Sequence, residues 1–85
     1  LEVIAAQKIS KLEDKYDFIL SSEVYFKNEN TTSNTSGKIC SVRINTPGST
    51  LFAKTSSGSF EASIASTMED LRRQLQKRKG KMLTH

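Results

Sequence analysis

Apolar residues in the opening stretch LEVIAAQKISKLEDKYD recur at Leu1, Ala5, Ile9, Leu12 and Tyr16. Spacings of three and four put them on one side of a helix, so the pattern predicts an amphipathic helix starting at residue 1. Lys8, Lys11 and Lys15 keep the same rhythm beside that stripe, within roughly 60° of arc at 100° per residue. From residue 19 the period changes to two. ILSSEVYFKN sets Val24 and Phe26 against Glu23, Tyr25 and Lys27, and KICSVRINT sets Cys40, Val42 and Ile44 against Ile39, Ser41, Arg43 and Asn45. Each reads as a strand with one apolar face. The polar run NENTTSNTSG between them, residues 28–37, predicts an exposed hairpin loop.

Pro47 and Gly48 predict a tight turn, and STLFAKTS a third strand antiparallel to the second. A second helix opens near SSGSFEAS. There Glu61 stands three residues after Gly58 in a capping-box position, with Ser57 or Ser59 as the alternative cap. Its apolar stripe is Phe60, Ile64, Met68, Leu71 and Leu75; Arg73, Lys77 and Lys81 fall nearly opposite, while Arg72 and Lys79 flank it. Gly80 is expected to end or fray this helix. The order helix, strand, strand, strand, helix is an α+β arrangement. Residues in the apolar set make up 35% of the chain, enough for one thin core and not two, so both helices are expected on one face of the sheet. At 85 residues the chain reads as one domain.

The net charge of +4 is unevenly spread. Of 13 lysines and arginines, Arg72, Arg73, Lys77, Arg78, Lys79 and Lys81 stand close together with no acid after them, while the rest of the chain is slightly acidic. A concentrated positive segment suits a polyanion. It also suits the negative end of a helix dipole, at ~0.3–1 kcal/mol per cation.

Most other chemistry lacks material. Cys40 is the single cysteine and His85 the single histidine, so no internal disulfide, cysteine metal cluster or histidine-based dyad is expected. Cys40 reads as a core residue, since a nucleophile needs a base or cations to form thiolate. No phosphate-cradling glycine motif occurs. The carboxylates Glu13, Asp14, Asp17, Glu69 and Asp70 all have a base within a helical turn and read as surface ion pairs. The acceptor patterns for N-glycosylation at Asn30 and Asn34 read as plain loop polarity. No apolar run approaches the ~20 residues of a membrane span, and no signal-peptide pattern opens the chain. The expectation is a cytoplasmic non-enzyme with no cofactor, no membrane partner and no small-molecule substrate.

Two stretches carry a resemblance. KISKLEDKYDFI supplies Lys8, Lys11, Leu12, Glu13, Tyr16 and Asp17, and SFEASIASTMEDLRRQLQKRKGKM supplies Arg73, Gln74, Leu75, Lys77, Lys79 and Lys81. Across essentially the whole chain the sequence resembles the bacterial ribosome hibernation-promoting and ribosome-associated inhibitor family, also known as sigma-factor modulation or ribosomal subunit interface proteins. The resemblance implies a β-α-β-β-β-α fold, whose first strand has no counterpart here because the chain opens in the helix. The strand at residues 22–28 would then keep a free edge, and edge-strand self-association is expected. The resemblance also implies a partner, the small ribosomal subunit with its 16S-type rRNA. Members of the family bind there in stress or stationary phase, in the channel that takes mRNA and the anticodon ends of tRNA, inhibiting translation and stabilising idle ribosomes. The residues expected to meet rRNA phosphates are Lys8, Lys11, Lys15, Arg72, Arg73, Lys77, Lys79 and Lys81, with the two helices side by side bringing Lys8, Lys11 and Lys15 near Arg73, Lys77 and Lys81 in one basic face.

Two other readings fit parts of the pattern. A double-stranded-RNA-binding domain also runs helix, three strands, helix, but it carries its bases at the start of the last helix, where this chain has none. A protein interaction module using the free strand edge would leave the basic segment as a solubilising end.

Overall fold

The computed structural model describes residues 2–29 and 36–83. Leu1, Asn30, Asn34 and His85 lie outside the described residues. The elements follow the expected order: α1 (Glu2–Lys15), β1 (Ser21–Asn28), β2 (Lys38–Thr46), β3 (Ser49–Ser57) and α2 (Phe60–Leu83). The strands form one antiparallel sheet, β1-β2-β3, with Val24, Val42 and Ala53 abreast at its centre.

Both helices cover the same sheet face. Ala5, Ile9, Leu12 and Tyr16 from α1 and Ile64, Met68, Leu71 and Leu75 from α2 close over Cys40, Val42, Ile44 and Ala53. Phe60 meets Phe26 edge-on, with ring centroids 5.6 Å apart. α1 stops after Lys15, and the chain turns through Asp17 and Phe18 before Leu20 donates its N–H to the Asn45 carbonyl (2.7 Å) and seats β1.

Hydroxyls set the register of α2 on the sheet. Ser63 donates to the Lys38 carbonyl, and Thr67 to the Cys40 carbonyl at 3.3 Å. Four residues of helix rise about 6 Å and two residues of strand about 6.6 Å, so the pair fits β2 like a two-point latch. Both hydroxyls are fully buried and bonded, as burial requires.

The helix cap is Ser59, whose Oγ accepts the Ala62 N–H at 3.2 Å. Gly58 and Glu61 do not form the capping box, because the cap lies one residue later; Glu61 instead adds an anion to the first turn, where the dipole favours it. Gly80 is also corrected: α2 continues through it to Leu83. A cooperative helix of 24 residues absorbs one glycine at about 1 kcal/mol.

At the other end, Pro47 and Gly48 form the expected two-residue turn between Thr46 and Ser49. Proline's fixed φ and Gly48 at φ +77° give the type II pattern. Arg78 reaches down from α2 and donates from Nη2 to the Pro47 carbonyl at 2.5 Å. Ile39 points away from the helices as its alternation predicts, yet only 4% of its surface is exposed.

β1 is an edge strand. Beside it, a groove of about 360 Å³ runs between Ala5, Ala6 and Ile9 of α1 and Ser22, Val24 and Phe26 of β1.

Two glycines separate backbone need from tolerance. Gly48→Ala meets both a positive φ and the Arg78 guanidinium at 3.4 Å, and it is expected to cost about 1–2 kcal/mol. Gly80→Ala faces open space and is expected to stabilise by about 0.5–1 kcal/mol. Urea midpoints at unchanged m-value test both. Burial pushes the Cys40 thiol up from its ordinary pKa, so a thiol reagent is expected to leave the native protein untouched and to label it only in urea. Rapid native labelling would contradict the buried position.

Candidate nucleic-acid interface

Two helices that share one sheet face must run side by side, and the contacts fix their direction. Ser63, early in α2, sits over Lys38, and Arg78, late in α2, sits over Pro47. Tyr16, just past α1, lies under Lys79. α1 and α2 are therefore parallel, with their C-terminal ends together at the β2–β3 turn end of the sheet.

Tyr16 is where the two helices' charges meet. Its ring is buried, with 1% exposed, and packs edge-on against Phe18. The Lys15 ammonium lies 5.5 Å from the ring centroid and the Lys79 ammonium 6.0 Å. Both are at cation–π range of the same ring. Its hydroxyl is buried without a hydrogen bond, close enough to Arg72 to interact with it electrostatically.

The helical wheel sorts the remaining bases. On α1, Ala6 and Glu13 belong to the flank lining the groove beside β1, and Lys8 and Lys15 occupy the other flank, with Lys11 above them. All three lysines are exposed. On α2, Arg72 and Lys79 share the flank nearer α1. Gln74 and Arg78 mark the opposite flank, since they donate to Phe52 and Pro47 carbonyls at the β3 side. Arg73 sits on the crest, and Lys77 and Lys81 fall toward β3, lining a depression with Ser49 and Leu51.

The expected grouping is thus redistributed. Lys8, Lys11 and Lys15 meet Arg72 and Lys79 along the helix–helix seam, while Arg73, Lys77 and Lys81 extend the positive surface over the outer side of α2. The misassignment came from treating the face opposite the apolar stripe as the one turned to the neighbouring helix; a neighbour on the same sheet meets the flank instead.

Two acids of α2 sit inside this field: Asp70 lines a depression with Arg73 and Lys77, and Glu69 pairs directly with the arginines. Glu69 accepts from Arg72 Nε and Nη2 at 3.1 and 2.6 Å and stands 3.6 Å from Arg73 Nε. The Arg72 hydrogen bonds hold its carboxyl below the usual range. Arg72 is further steadied by Gln76 at 3.3 Å.

Arg78 was absent from the candidate set and belongs to the fold instead, through Pro47. Its spacing was the available signal: Leu71, Leu75 and Arg78 stand at i, i+4 and i+7, which puts Arg78 on the buried stripe. On the far side of the sheet Tyr25 and Phe52 are 54% and 51% exposed.

Among the described residues, no group of three or more histidine, cysteine, aspartate or glutamate side chains is arranged to hold a metal ion, and no helix is long and apolar enough to cross a membrane.

Residues 1–83 match the family model described as sigma 54 modulation protein / S30EA ribosomal protein. A solved structure described as a ribosomal subunit interface protein from Coxiella burnetii superposes at a TM-score of 0.77 and 24% identity, covering 94% of this chain and 82% of that one. At that identity the likeness is one of fold. Comparison with curated proteins gives no match.

Proposed function

We propose that this chain, which belongs to the sigma 54 modulation protein / S30EA ribosomal protein family, is a ribosome-binding factor that lays its two-helix basic face on the rRNA backbone of the small subunit. The observation that carries this reading is the convergence of Lys15 and Lys79 on Tyr16, which joins the charges of two helices into one surface. Lys8, Lys11, Lys15, Arg72 and Lys79 line the seam, and Arg73, Lys77 and Lys81 broaden it. Such a surface reads backbone charge and shape and carries no sequence code. In the channel that takes mRNA and tRNA it would exclude both, inhibiting translation and protecting idle ribosomes in the cytoplasm. A double-stranded-RNA-binding domain fits less well, because the first turns of α2 hold Glu61 and no base.

Sedimentation with purified small subunits over a range of salt tests the reading. About six phosphate contacts predict a slope near −4 to −5 in log affinity against log salt, at roughly −0.7 to −0.9 per contact. Lys15→Glu/Lys79→Glu should weaken binding and flatten the slope by about 1.5–2, and Arg73→Glu/Lys77→Glu should do so as well. Removing the acid by Glu69→Gln should tighten binding by about two- to fivefold, the scale of an exposed ion pair. Absence of co-sedimentation at every salt concentration would refute the proposal.

A further inference from the structure

The helix-free face of the sheet carries an arrangement that the basic helices do not use. Alternation puts Glu23, Tyr25 and Lys27 of β1, Ser41 and Arg43 of β2, and Phe52 and Lys54 of β3 on that side. Arg43 is directly opposite Phe52 and Glu23, and Tyr25 is abreast of Ser41 and Lys54. Tyr25 and Phe52 are half exposed, and Arg43 and Lys54 are exposed. Arg43 is near enough to Tyr25 to act on its phenol electrostatically. The face thus presents a phenol ring, a guanidinium plane and a phenyl ring on a diagonal across three strands.

The spacing of these planes chooses a ligand. Arg43 and Phe52 are directly opposed and Tyr25 and Arg43 are diagonal neighbours, so their side chains spring from Cβ atoms roughly 5 Å and roughly 7–8 Å apart. Stacked bases repeat at about 3.4 Å. Bases still stacked on one another do not fit these intervals, whereas unstacked bases of a single strand can each take a plane.

The charges agree with a polyanion. Lys27, Arg43 and Lys54 surround the rings, against Glu23 and against Glu29, which stands 3.9 Å from the Lys27 ammonium in an exposed pair that phosphate can displace. Glu23 is engaged: it accepts the Tyr25 hydroxyl at 2.5 Å and lies opposite Arg43. That bond ties the ring back along its own strand, while half of its surface stays open to solvent. It also holds the phenol proton, raising the pKa, so the ring brings no negative charge toward phosphate.

We propose that the open sheet face is a second RNA-binding surface, on which Tyr25, Arg43 and Phe52 stack unpaired bases of single-stranded RNA while Lys27 and Lys54 meet its phosphates. This proposal goes beyond the helical face and is tested without ribosomes. The chain has two tyrosines and no tryptophan, and Tyr16 is buried, so Tyr25 is the tyrosine open to a stacking base.

Short oligouridine is titrated against the protein, following tyrosine emission and the anisotropy of labelled RNA, beside an RNA duplex of equal length. Oligouridine is expected to quench tyrosine emission, and Tyr25→Ala to abolish the quench. Tyr25→Ala/Phe52→Ala is expected to weaken oligouridine binding by about tenfold or more and duplex binding hardly at all. Tyr25→Phe should keep most of the affinity, which separates stacking from a folding defect. Lys15→Glu/Lys79→Glu should leave the oligouridine quench in place even where ribosome binding is lost. No quench, an unchanged affinity in the double alanine variant, or equal losses for duplex and single strand would each overturn the proposal.

Discussion

Everything in this protein depends on one constraint: two amphipathic helices must bury their stripes on a single apolar sheet face. β2 supplies most of that face through Cys40, Val42 and Ile44, none of which has exposed surface. α2 takes the larger share, over β2 and β3, and its position is not left to hydrophobic contact alone. Apolar burial is non-directional, so a helix on a flat apolar face can slide; Ser63 and Thr67 remove that freedom by bonding to successive same-facing carbonyls of β2. With α2 fixed, α1 has one place left, beside it and over the β1 side. The groove between α1 and β1 shows that this second seat is less completely filled.

The same constraint produces the electrostatics. Parallel helices bring two negative dipole ends together, and α1 ends in Lys15 while Lys81 stands in the last turn of α2. Each cation is favoured by its own helix end at ~0.3–1 kcal/mol, which is reason enough for lysines at those positions. It does not explain Lys8 or Arg73, which are far from the last turn of their helices, nor the gathering of Arg72 with Lys79 on the seam. Cations assembled beyond the dipole's reach repel one another, and an external polyanion relieves that repulsion. Glu69 supplies part of the relief internally by engaging Arg72 and Arg73, which keeps the face from becoming uniformly positive when unbound.

Most of the fold was legible because its signals are periodic. Stripes at three and four residues and alternation at two predicted every element, both layers and the Pro47-Gly48 turn. What was missed follows from interactions that periodicity does not encode. Gly58 and Glu61 satisfied the spacing of a capping box, and spacing alone did not decide between that and the alternative cap, Ser59, whose oxygen takes the Ala62 N–H. Gly80 looked like a terminator, and the helix passed through it because ending a helix needs a competing C-terminal conformation and not just a glycine. The candidate bases of the two helices could be named from the sequence, but their grouping required knowing which flank of each helix faces the other. Arg78 was counted as surface charge although its spacing put it on the buried stripe, where it spans to the Pro47 carbonyl.

The two proposed surfaces would divide one ligand class between the two faces of the sheet. On the helix side the pleat delivers apolar side chains, and charge is presented only through the helices packed there, so what is displayed outward is a field of cations, of the kind that suits phosphate. On the other side no helix intervenes, and the pleat itself spaces side chains at intervals wider than a base stack. A shift of one residue would exchange the two sets on the strand that moves, burying Tyr25 if it is β1 or Phe52 if it is β3, and exposing Val42 and Ile44 if it is β2. The register that builds the core is therefore also what sets Arg43 between the two rings, and it is held at the C-terminal end of β2 on both sides: by Leu20 on Asn45 beside β1 and by the two-residue turn into β3. Folding and the spacing of the aromatic face are in this sense a single specification, made once along β2.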